Sequence, residues 1–142
     1  MKKMPDVLVI DGQGGGLGRQ VIQALKKEFP ELKLRAAGTN GTAAEAMRKA
    51  GADMAASGEN AVLVACRKAD IIIGPIGIVI ADSMYGEITP AMALAAAQAD
   101  AKRILIPMNH CDNMVAGVLN SSAGALIGSV VEKLRVILQE EE

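Results

Sequence analysis

The chain is poor in aromatic and redox chemistry. Its 142 residues include no Trp, one Tyr, one Phe, one His and two Cys. With so few aromatic side chains it has no platform on which bases stack. Fifteen Lys and Arg stand against sixteen Asp and Glu, a formal charge of −1, so no basic excess exists to displace counterions from a phosphate backbone. Together these absences argue against a nucleic-acid partner. Cys66 and Cys111 make neither a disulfide framework nor a Cys-x-x-Cys zinc site, and no metal site is expected. Long apolar runs are missing as well. The longest, from Ile71 to Ala81, is interrupted by Gly and Pro and closed by Asp70 and Asp82. It falls far short of the roughly 20 residues that span a bilayer. Lys2 and Lys3 precede an apolar stretch, Val7 to Ile10, that is too short for the core of a signal peptide. The expectation is a cytoplasmic chain with no membrane partner.

What the chain does have is apolar bulk. Half of it (51%) is hydrophobic and 22% is charged, at a length suited to one domain with a real core. No linker or low-complexity tract divides residues 1–142. Asp6-Val-Leu-Val-Ile10 suits a strand buried on both faces. Val21, Ile22, Leu25 and Phe29 then fall at helical spacing up to Pro30. Residues 32–37 suit a second strand. Thr42-Ala-Ala-Glu45 has the form of a capping box opening a helix that Gly51 stops. Residues 52–56 form a short third strand, Ser57 caps a helix to Ala69, and residues 69–73 form a fourth strand. Thr89-Pro90 is an N-cap with Pro at the first helical position, starting an alanine-rich helix from Pro90 to about Ala101. Residues 103–108 give a fifth strand and residues 114–119 a shorter sixth. Ser121 or Ser122 opens a last helix whose stripe is Leu126, Ile127, Val130, Val131, Leu134, Ile137 and Leu138. The alternation predicts a Rossmann-like α/β domain: three αβα layers around a mostly parallel sheet of five to six strands.

The segment Ile10-Asp-Gly-Gln-Gly-Gly-Gly-Leu-Gly18 lies between a buried strand and a helix. In that setting backbone N–H groups approach a phosphate, and the helix start adds about half a positive charge. The G-x-G-x-x-G fingerprint fails because its last position is Leu17, and no Gly-Lys pair closes a Walker loop. Gly12-x-x-x-Gly16-x-Gly18 does fit, and with Arg19 it resembles the glycine motif of the short-chain dehydrogenases/reductases. That resemblance implies a nicotinamide dinucleotide whose pyrophosphate lies along Gly12, Gly16 and Gly18. Asp11 departs from it, standing where that family has a small hydroxyl residue. The catalytic pair is absent too, because Thr89, not Lys, stands four residues after Tyr85. The likeness covers the first twenty residues and implies binding only. The alternative is a glycine turn that packs helix against strand.

Over most of its length the chain resembles an uncharacterised family of short bacterial Rossmann-like proteins, a domain of unknown function. The likeness rests on Val9-Ile-Asp-Gly-Gln-Gly-Gly-Gly16, Gly38-Thr-Asn40, the stretch Ala69-Asp-Ile-Ile-Ile-Gly-Pro-Ile-Gly-Ile-Val-Ile-Ala-Asp-Ser83, and Gly86-Glu-Ile-Thr-Pro90. It implies the fold and no activity.

Ligands of parallel sheets bind outside the carboxyl ends of the strands. The expected binding set is therefore Asp11, Gly12, Gln13, Gly14, Gly15, Gly16, Leu17 and Gly18 with Gly38, Thr39, Asn40, Gly74, Pro75, Ile76 and Asn109. Phosphate would sit on the amides of Gly14, Gly15, Gly16 and Leu17. The second strand ends without the acid that holds the ribose diol of NAD, so Thr39 and Asn40 lean the cofactor towards NADP, with NAD and a mononucleotide left open. Glu87, Asp11 and His110 are the candidate catalytic groups. His110 is a proton-shuttle candidate beside Cys111, although neighbouring loop side chains rarely face each other. Cys66 belongs in the core. The alanine-rich helix, with Met92 and Leu94 at its surface, is the candidate homodimer face. The expected role is nucleotide binding or sensing. A small oxidoreductase-like enzyme and a structural subunit with an empty glycine loop are the alternatives.

Overall fold

A computed structural model describes residues 4–108, 113–118 and 121–140. Five strands form one all-parallel sheet: β1 (Val7–Asp11), β2 (Leu34–Gly38), β3 (Met54–Ser57), β4 (Ile71–Pro75) and β5 (Lys102–Ile106), in the spatial order β3-β2-β1-β4-β5. The connecting helices are α1 (Gly16–Glu28), α2 (Gly41–Lys49), α3 (Glu59–Lys68) and α4 (Pro90–Gln98), and α5 (Ala123–Glu140) follows β5. A short 3-10 turn, Ile76–Val79, follows β4.

The two faces of the sheet carry separate apolar clusters, as the alternation of side chains along a strand requires. Val7, Val9, Ile71 and Ile73 face the layer holding α1 and α5, against Ile22, Leu25, Val130 and Leu134. Leu8, Ile10 and Ile72 face α3 and α4, against Val62, Cys66, Met92 and Ala96. This is why β1 and β4 read as unbroken apolar runs: both faces are covered, giving the three-layer Rossmann-like architecture. Burial pushes the Cys66 thiol up to about 11, so it serves as a small apolar filler and not as a nucleophile.

Several local expectations change. Asn40, not Thr42, caps α2: its Oδ1 accepts from the Ala43 amide at 2.8 Å, while Glu45 turns outward to Arg48. Ser57 closes β3, and Gly58 takes the position before α3. Residues 113–118 form no strand, so the sheet of the described residues has five. Thr89 does cap α4, accepting from the Met92 amide at 3.1 Å, but the helix ends at Gln98. Met92 is buried against the sheet; Leu94 alone of the pair is exposed. Ser122 Oγ accepts from the Ala125 amide and starts α5. Among the described residues no helix is long and apolar enough to cross a membrane.

Candidate functional site

The chain leaves β1 and winds towards β2 and β3 on one side, then returns to β4 and β5 on the other. The order reverses between β1 and β4, where adjacent loops diverge and leave a crevice at the strand ends. A cavity of about 170 Å³ lies there, lined by residues 11–17 with Pro75, Met84 and Met108. It is smaller than the roughly 300 Å³ at which drug-sized ligand pockets begin, so it has room for part of a ligand.

The glycine loop forms its floor. Gly15 has φ +74 and precedes α1, and a Cβ there would lie 2.8 Å from the Ala43 Cα of α2. Its amide donates to the Gly12 carbonyl at 2.9 Å, which removes Gly15 from the expected phosphate donors. The amides of Gly14, Gly16 and Leu17 make no hydrogen bond to any described residue, and no atom lies within 4 Å of a Cβ placed on Gly14 or Gly16. The Gly16 and Leu17 amides are orphans expected at a helix start, and the Gly14 amide belongs to the loop just before the N-cap Gly15. Gly18 has a different role. A Cβ on it would meet Met47 Sδ at 2.6 Å and Asp11 Cβ at 2.9 Å, so it is a packing contact between α1, β1 and α2.

Asp11, at the end of β1, is 5% exposed, and its carboxylate lies under the loop. Oδ1 accepts from the Gly12 amide at 2.8 Å and Oδ2 from the Gly18 amide at 2.7 Å. Its charge already offsets part of the field of α1. An anion bound at the loop would therefore be held by hydrogen bonds more than by net positive charge. With both oxygens engaged by backbone amides, Asp11 ties the loop to the first turn of α1.

The segment that follows the 3-10 turn folds over the β2 side of the loop. Asp82, Met84 and Tyr85 have φ of +65, +56 and +56, and Gly86 follows at +89. Left-handed conformations at non-glycine residues are costly and are held only where the surroundings fix them. Here the Asp82 amide donates to the Ile88 carbonyl at 2.7 Å and the Ile88 amide to the Ser83 carbonyl at 3.2 Å, while Met84 and Ile88 are buried. The Ser83 hydroxyl donates to the Gly77 carbonyl and ties this strap to the 3-10 turn after β4. Tyr85, 92% exposed, is directed into solvent.

The strap brings Glu87 to the site. Glu87 Oε1 accepts three hydrogen bonds: from the Gln13 amide at 2.8 Å, Thr39 Oγ1 at 2.6 Å and Asn40 Nδ2 at 2.9 Å. Gln13, at φ +51, turns its amide to this carboxylate, and its carbonyl accepts from Asn40 Nδ2 at 2.9 Å. Partial burial works to raise the Glu87 pKa, but the bonds from Thr39, Gln13 and Asn40 outweigh it and hold the carboxyl below its ordinary value. Glu87 is therefore ionised at neutral pH and is a weak base.

Of the expected set, residues 11–17 and Pro75 line one crevice, with Thr39 and Asn40 at its β2 side. Gly38 packs against the backbone of α2, where a Cβ would meet the Ala44 nitrogen at 2.6 Å. Gly74 lets β4 approach β1, a Cβ there lying 2.5 Å from the Ile10 carbonyl oxygen. Ile76 lines a different groove, between β5 and α5. Asn109 and His110 lie outside the described residues. Met84 and Met108 were missed, because an apolar residue in a loop carries no signal of its own. Among the described residues no three His, Cys, Asp or Glu side chains gather to hold a metal ion.

Residues 6–139 match the family described as Domain of unknown function (DUF3842). The chain belongs to this family. No curated protein and no solved structure gives a significant match to it.

Proposed function

We propose that this protein binds a nucleotide across its glycine loop and acts as a binding or sensing protein, not as an enzyme. The observation that carries this reading is the set of amides of Gly14, Gly16 and Leu17, which bond to none of the described residues and lie at and just before the start of α1, in the lining of the switch-point crevice. The Gly12-x-x-x-Gly16-x-Gly18 pattern shared with the short-chain dehydrogenases/reductases points the same way. A non-catalytic role is supported by the state of the two carboxylates. Asp11 is engaged through both oxygens, and Glu87 is a weak base tied to three donors.

Native mass spectrometry of freshly purified protein, followed by a melting-shift panel of NAD(H), NADP(H), ATP, ADP, GTP, GDP and FAD, tests the binding. A ligand at a hundred times its dissociation constant stabilises the fold by about 2.7 kcal/mol. The variant Gly16→Val then tests the placement. Its side chain enters open space in front of the amides, so the fold is retained and nucleotide affinity is lost. Unchanged affinity in this variant refutes phosphate binding at the loop.

A further inference from the structure

We infer that Glu87 is the acceptor of the ribose diol, so that the bound nucleotide carries unmodified 2′- and 3′-hydroxyls; this rests on the nucleotide reading above. In Rossmann-like sites an acid at the end of the second strand accepts from the ribose hydroxyls, next to the glycine loop. Here β2 ends in Gly38-Thr39-Asn40 and supplies none. The strap supplies one instead. Glu87 is held between Gln13 of the glycine loop and both Thr39 and Asn40 beyond β2.

The bonding within that carboxylate separates support from function. All three neighbours donate to Oε1, and Oε2 accepts from none of the described residues. One oxygen positions the group and the other is left for a ligand. A phosphate on the Gly14, Gly16 and Leu17 amides places the adjoining ribose along the loop towards β2, where Oε2 is an acceptor for two vicinal hydroxyls. The same charge opposes a ribose bearing a 2′-phosphate. The site thus selects NAD-type or ribonucleoside diphosphate ligands over their 2′-phosphorylated counterparts. That choice reverses the preference drawn from Thr39 and Asn40 alone. The buried Met84 and Ile88 hold the strap on which this selection depends.

Titration calorimetry with ADP and GDP, their 2′-deoxy counterparts and adenosine 2′,5′-bisphosphate tests it, using wild type, Glu87→Gln and Gly16→Val. The glutamine keeps a carbonyl oxygen for Gln13, Thr39 and Asn40 but puts an amide nitrogen in place of Oε2, so the strap stays in place. Wild type is expected to bind its preferred ribonucleotide about ten- to a hundredfold tighter than the 2′-deoxy form, the range for a hydrogen bond to a charged group. In Glu87→Gln that preference collapses and the 2′,5′-bisphosphate gains affinity relative to the diphosphate. A preference for the ribonucleotide over its 2′-deoxy form that persists in Glu87→Gln overturns the assignment. So does an equal gain for every ligand, which would make Glu87 a plug. If Gly16→Val abolishes binding while Glu87→Gln leaves selectivity intact, only the ribose assignment fails. If wild type binds neither diphosphate and no nucleotide of the melting-shift panel, the nucleotide reading falls and this one with it.

Discussion

Replacing Gly15 with alanine is expected to destabilise the fold by about 2–5 kcal/mol, while the same change one residue later costs almost nothing. The left-handed backbone at Gly15, φ +74, costs an L-residue roughly 1–2 kcal/mol. The new methyl would also stand 2.8 Å from the Ala43 Cα and 3.0 Å from the Ala43 carbonyl oxygen. Those atoms belong to the backbone of α2 and cannot swing away as a side chain would, so overpacking adds about 1–3 kcal/mol. At Gly16 a Cβ meets nothing within 4 Å and the residue is already helical, so Gly16→Ala should stay within about 0.5 kcal/mol of wild type. Urea unfolding followed by far-UV circular dichroism separates the two. With a slope of about 1–3 kcal/mol per molar, Gly15→Ala should move the midpoint down by on the order of 1–2 M. Equal midpoints for the two variants would refute the close approach of α1 and α2 at this loop.

The buried Asp11 carboxylate should be irreplaceable even by its amide. Asp11→Asn sets an NH₂ group against the Gly12 or Gly18 N–H, and leaving one such buried donor unsatisfied costs about 1–3 kcal/mol, measurable by the same urea titration. Glu87 predicts a pH dependence of stability. Its folded-state pKa lies below the ordinary 4.5, so its contribution is full above that value and is lost as pH falls through the folded-state pKa. The stability margin of wild type over Glu87→Gln should therefore shrink on acidification below pH 4.5. A margin independent of pH would contradict the bonds from Thr39, Gln13 and Asn40.

Periodicity carried most of the fold. Val7 to Ile10 and Ile71 to Ile73 are apolar on both faces, which only a doubly covered parallel strand tolerates. Val21, Ile22 and Leu25 mark α1 just as plainly. Errors arose where two polar residues competed for one local role. Thr42 and Glu45 have capping-box spacing, yet Asn40 lies two residues earlier in extended backbone, and α2 begins from it with its side chain on the Ala43 amide. The alanine-rich helix gives no amphipathic signal, so nothing in its sequence distinguishes buried Met92 from exposed Leu94. The glycine loop was legible because all its parts are contiguous. Glu87 was visible only as a loop carboxylate, because its partners Gln13, Thr39 and Asn40 are 74, 48 and 47 residues away in the chain. The distinction between Gly14 and Gly15 was likewise hidden, since only Gly15 takes a positive φ against α2, whose Ala43 lies 28 residues further along the chain.

The bond from the Gln13 amide to Glu87 Oε1 turns the strap into its own reporter. An amide in an exposed glycine loop ordinarily exchanges its proton with solvent at once, but this one is protected for as long as the strap is closed. Its exchange rate counts strap openings, separately from the global unfolding that frees the amides of β1. A nucleotide using Oε2 would stitch strap to loop and slow Gln13 exchange, whereas one that displaced Glu87 would speed it. One backbone position thus distinguishes the two modes of ligand entry without a substitution.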